Sequence, residues 1–172
     1  KTTGPSANQS VKDKFTEIGF SEEDLDLFKN TLKLTKTYFN EWAKSVSALL
    51  KSQPETQKIF DVTATCLNDA ADLMLQFLDF GGSGFAYKAI VDNTKKVLAT
   101  AGASMLYSKY YAGDLHRYIV PGTSQAATAL QSGFTYEEAY DLLYNSQSNS
   151  LAKFGQDTLT NRKANIEVSA RV

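Results

Sequence analysis

The chain of 172 residues carries 18 lysines and arginines against 19 aspartates and glutamates, for a formal net charge of -1. A length in the one-domain range, with 42% hydrophobic and 22% charged residues, predicts one water-soluble globular domain and excludes wholesale disorder or a fibrous architecture. Balanced charge without a basic block argues against a nucleic-acid partner, a lone cysteine excludes an intrachain disulfide, and the longest strongly apolar stretch, Leu73 to Phe80, is too short to cross a bilayer.

Residues 1–12 read as a flexible N-terminal segment ahead of a helical domain over 13–172. Within that start, Asn8-Gln9-Ser10 fits a glycosylation acceptor, which favours a secreted or cell-surface protein over a cytoplasmic one. Ser21, with Asp24 three residues on and Phe20 and Leu25 flanking, predicts a capped helix start with a hydrophobic staple. From there Leu25, Phe28, Leu32, Thr35, Phe39, Trp42, Val46 and Leu49 step by three and four, predicting a helix over about 22–51 with one apolar seam. Gln53-Pro54 breaks that pattern, and Pro54 suits the first turn of a second helix running to about Phe80. Its later part, Leu67 to Leu78, is apolar around most of its circumference and is expected at the centre of the fold, where Cys66 reads as a small buried hydrophobe.

Gly81-Gly82-Ser83-Gly84 predicts a loop, and it lacks the lysine and spacing of a phosphate-binding loop. A third helix is expected over about 85–112, with Ile90, Val91, Val97, Leu98, Ala101, Met105 and Leu106 facing inward. The small residues at 99–104 leave space there for a neighbouring backbone or a ligand. Gly113 to Thr123 reads as a connection turning at Pro121-Gly122, followed by a short helix over about 124–132 that stops at Gly133. Thr135 and Glu138 repeat the capping pattern and open a last helix near Tyr136, with Tyr140, Leu143, Leu151 and Phe154 on its inner face. Beyond about Gln156 apolar residues thin out, and the end is expected to fray or project. The fold class is therefore all-α, a single-domain bundle of four to five mostly antiparallel helices.

Few residues are equipped for chemistry. His116 is the one histidine, so it would have to serve as base in any nucleophilic hydrolysis, and no Gly-x-Ser-x-Gly elbow accompanies it. The absence of any Glu-x-x-His pair excludes a ferritin-like di-iron centre, and one histidine with one cysteine is too few for zinc. Glu22-Glu23-Asp24 and Glu137-Glu138 fall in first helical turns, where capping explains them. No enzyme activity, cofactor or metal is expected.

Aromatic side chains are the surplus: nine tyrosines, ten phenylalanines and Trp42. Tyrosine joins a large apolar area to a polar tip and suits recognition surfaces. Tyr107, Tyr110, Tyr111 and Tyr118, with Tyr140 and Tyr144 of the last helix, thus define the expected face for a protein partner. The alternative is a carrier of an apolar, lipid-like small molecule held near Phe77, Phe80, Phe85, Ala101 and Met105. A lesser alternative is haem: Pro54-Glu55-Thr56-Gln57-Lys58-Ile59-Phe60 locally resembles the corner after the second helix of globins, which implies Phe60 against the porphyrin and His116 as axial ligand. The separation of Phe60 from His116 and the breaks at Pro121 and Gly133 depart from the globin pattern.

Overall fold

The computed structural model describes residues 4–79, 90–99 and 114–171, with side-chain positions over 11–78, 90–99 and 115–161. The described residues form helices and turns, with no strand among them. Among the described residues six helical segments occur where four to five helices are expected: α1 Gly4–Glu17, α2 Glu22–Leu49, α3 Pro54–Asp79, α4 over 90–99, α5 Asp114–Gln131 and α6 Tyr136–Arg171.

The first departure from expectation is α1, which occupies residues read as a flexible start. Its polar sequence offers a sparse apolar stripe, yet Val11 and Phe15, four residues apart, are fully buried, and Phe15 stacks edge-on against Phe20 at 5.0 Å. A short polar helix is marginal in isolation, and tertiary packing of this kind is what supports one.

The second departure is α5. Residues 114–123, read as a connection, belong to one helix with 124–131, and Pro121 lies inside it. Proline removes one ladder hydrogen bond and crowds the preceding turn. That local cost is outweighed by a continuous inner face, since Leu115, Ile119, Thr123, Ala126 and Ala127 are all buried. Gly122 lies so close to α6 that a Cβ there would meet Ser146 Oγ at 2.7 Å.

Helix ends are written locally, and twice in nearly the same words. At Gly19 and Gly133 the backbone takes φ +99°, the left-handed region that glycine enters without penalty. Phe20 then donates its N–H to Phe15 O at 3.0 Å and Phe134 donates to Ala129 O at 3.0 Å, the Schellman closure. The next residue caps the following helix: Ser21 Oγ accepts from Asp24 N while Asp24 accepts from Ser21 N, each at 3.1 Å. Thr135 and Glu138 do the same at 3.1 and 2.8 Å. Gly-Phe-Ser-Glu-Glu-Asp and Gly-Phe-Thr-Tyr-Glu-Glu are thus one stop-and-start connector used at two corners.

Packing partners give the directions. Gln57 meets Ser47, Phe60 meets Trp42 and Asp72 pairs with Lys36, so α2 and α3 recede from their turn antiparallel. Thr123 meets Gln147 and Tyr118 meets Asp157, so α5 and α6 are antiparallel too. Lys14 bonds Asn149 and Phe15 abuts Gly155, placing α1 alongside α6 in the same direction. Helix α3 packs against α1, α2, α5 and α6. Its Leu67, Ala70, Ala71, Leu73, Met74, Phe77 and Leu78 have no exposed surface, as the all-round apolar pattern of that stretch implies. Cys66 is buried in the same core. A smaller cluster of Phe39, Ala43, Phe60 and Leu67 lies towards the α2–α3 turn.

Candidate functional site

Helix α2 begins at the Ser21 cap, with Glu22, Glu23 and Asp24 in the first turn, where negative charge is favoured by the helix dipole. It then runs 28 residues without glycine or proline. Leu25, Phe28, Leu32, Phe39 and Ala43 form its inner arc and are buried. A second apolar arc faces outward: Leu27 is 52% exposed, Leu34 55%, Tyr38 69%, Trp42 41% and Leu49 80%. Because successive residues turn by about 100°, these five fall within an arc of about 80° adjoining the inner one. Trp42 stands at the border, its ring 5.8 Å from Phe39 and 5.9 Å from Phe60.

At its N-terminal end this outer stripe opens into a recess of about 320 Å³ between α2 and α6, lined by Phe20, Leu27, Phe28, Thr31, Thr158 and Leu159 among others. On the opposite flank of α2 a larger, shallow groove of about 550 Å³ runs between α2 and α3. Its lining is mixed, with Asn40, Lys44, Ser47, Gln57, Asp61 and Asn68 beside Ala43, Ala48 and Ala64, and Gln57 is already committed to Ser47 O at 2.8 Å.

Those residues singled out by sequence that the structure describes fall elsewhere. Tyr140 and Tyr144 are buried, and Tyr144 packs edge-on against Phe77 at 5.0 Å. They are core residues and do not form the expected tyrosine face, because the four-residue step that brings them together also aligns them with Leu143, Gln147 and Leu151 on the inward side of α6. Burial pushes the Tyr144 phenol up. Tyr118 is half-buried: its ring stacks on Phe154 at 4.7 Å and its hydroxyl donates to Asp157 at 2.8 Å. That hydrogen bond raises the Tyr118 pKa, while Lys153 and Tyr118 together hold the Asp157 carboxyl below the usual carboxylate range. Tyr107, Tyr110, Tyr111, Phe80, Phe85, Ala101 and Met105 lie outside the described residues. Phe77, the remaining member of the apolar-ligand set, is fully buried in the core.

His116 is also fully buried, its ring 3.8 Å from that of Phe39, and neither ring nitrogen has a hydrogen-bond partner. Burial alone lowers its pKa to about 4, so the imidazole is neutral at physiological pH. Among the described residues no three histidine, cysteine, aspartate or glutamate side chains gather to hold a metal, and no helix is long and apolar enough to cross a membrane. Sequence reading missed Leu27, Leu34 and Tyr38 because it followed a single seam along α2 and assigned Trp42 and Leu49 to it. A full helical wheel of residues 22–49 carries the missing signal, two apolar arcs instead of one.

No protein-family model, curated protein or solved structure matches the chain.

Proposed function

We propose that the chain is a single-domain helical bundle that acts without catalysis, recognising a protein partner through the outer stripe of α2. The observation that carries this reading is the alignment of five large, solvent-exposed apolar side chains on one face of a single helix. The adjoining arc already supplies the core; Leu27, Leu34, Tyr38 and Leu49 are left to solvent while Trp42 is shared with Phe39 and Phe60, and exposed apolar side chains aligned in this way mark an interaction site. Tyrosine and tryptophan dominate the energetic centres of protein interfaces, and Tyr38 and Trp42 sit mid-stripe. A non-catalytic role is supported by the settings of the ionisable groups: His116 is enclosed, and Glu138 and Asp157 are engaged by Thr135 and by Lys153 with Tyr118.

A photo-reactive phenylalanine analogue placed at Tyr38 of the full chain, and separately at Thr65 on the exposed side of α3, tests the reading in an extract of the producing cells. Protein adducts are expected from position 38 and not from 65. Equal yields from both positions, or none from 38, would overturn it.

A further inference from the structure

We infer that the partner of the α2 stripe is a second copy of this chain, docked antiparallel with the two-fold axis at Tyr38. The inference rests on the stripe being a recognition surface and goes on to say what covers it. The positions are symmetric about one residue. Leu34 and Trp42 lie four residues either side of Tyr38, Thr31 and Ser45 seven, and Leu27 and Leu49 eleven. A two-fold interface places a patch against itself, so it requires a surface that reads the same from both ends. Antiparallel docking sets Tyr38 on Tyr38, Leu34 on Trp42, and Leu27 on Leu49 at both ends of a contact about 33 Å long, from 22 residues at 1.5 Å each.

Shape agrees with this register. Leu49 is the most exposed of the five, a protruding side chain at the C-terminal end, and the apolar recess beside Leu27, walled by Phe20, Phe28 and Leu159, lies at the N-terminal end. Antiparallel docking brings each Leu49 to the other copy's recess. A parallel pair would set Leu49 on Leu49 and leave both recesses empty. The five side chains expose on the order of 600 Å² per copy, so their complete burial in a two-fold pair would total roughly 1,200 Å², the lower end of the range for specific interfaces.

The test uses the full chain in solution. Light scattering over a dilution series should give twice the 18.9 kDa chain mass at high concentration. Tyr38→Glu and Leu49→Asp should each weaken self-association by about 100-fold or more, the scale of an interface hot spot. Both positions are exposed, so circular dichroism should be unchanged. A short bis-maleimide reads the register, against the background of buried Cys66. Tyr38→Cys should cross-link to itself, while Leu27→Cys and Leu49→Cys should cross-link when mixed and not when alone. A monomer at every concentration, or stronger cross-linking of Leu27→Cys alone than of the mixture, would overturn the second-copy assignment. If the chain is monomeric and a probe at Tyr38 still captures a different protein, the stripe reading stands and the second-copy assignment falls. If the probe captures nothing, both fall.

Discussion

Acid should destabilise this protein through His116, and the size of the effect follows from where the ring sits. The imidazole is fully enclosed, stacked on Phe39, and held to a pKa of about 4 against an ordinary 6.5. In the unfolded chain it takes up a proton as pH falls through 6.5, whereas the folded chain refuses that proton until about pH 4. The unfolded state therefore binds more protons across this window, stability drops as pH falls from 6.5 to 4, and the loss from this residue levels off below that. At 1.36 kcal/mol per pH unit the difference amounts to about 3 kcal/mol, a large part of a typical domain's stability. Urea unfolding at a series of pH values, followed by circular dichroism and by the fluorescence of Trp42, which touches Phe39, measures it directly. Carboxylates also titrate towards the acid end, so the informative quantity is the difference between the wild-type chain and His116→Leu. The leucine variant should lose the His116 part of the slope. At neutral pH it should be no less stable by more than about 1 kcal/mol, since it removes two buried nitrogens that lack partners. Parallel pH profiles for the two proteins would refute the reasoning.

Two further substitutions test the packing and the corners. Gly155→Ala would place a Cβ 2.5 Å from Phe15 Cε1, and overpacking between α1 and α6 should cost about 1–3 kcal/mol even though alanine favours a helix. Adding Phe15→Leu should recover part of that loss, and a Gly155→Ala chain as stable as the parent in urea would contradict the contact. Thr135→Ala removes the cap of α6 and should cost about 1 kcal/mol. The Glu138 carboxyl, held below its usual range by the Thr135 backbone and hydroxyl, should titrate at higher pH in that variant when followed by NMR.

What the sequence reveals about the fold depends on how local each signal is. The Ser21–Asp24 and Thr135–Glu138 caps, the Pro54 start and the central run of α3 are decided within a few residues, and each is found where its pattern predicts. Helix α1 and the unbroken α5 depend on distant partners. Phe15 acquires its support from Phe28 and Gly155, and Pro121 is carried by the buried side chains on both sides of it. The site divides in the same way. Aromatic composition has no direction, and Tyr140 and Tyr144 could be separated from Tyr38 only by asking which helix face each occupies.

The repeated connector leaves a mechanical signature. Because stop and start are fixed inside six residues at Gly19 to Asp24 and again at Gly133 to Glu138, each corner insulates the phase of one helix from the next. A residue inserted in α1 would swing Val11 and Phe15 out of the core by about 100° without moving the point where α2 begins. Length changes upstream of either corner thereby leave the starting point of the following helix where it is.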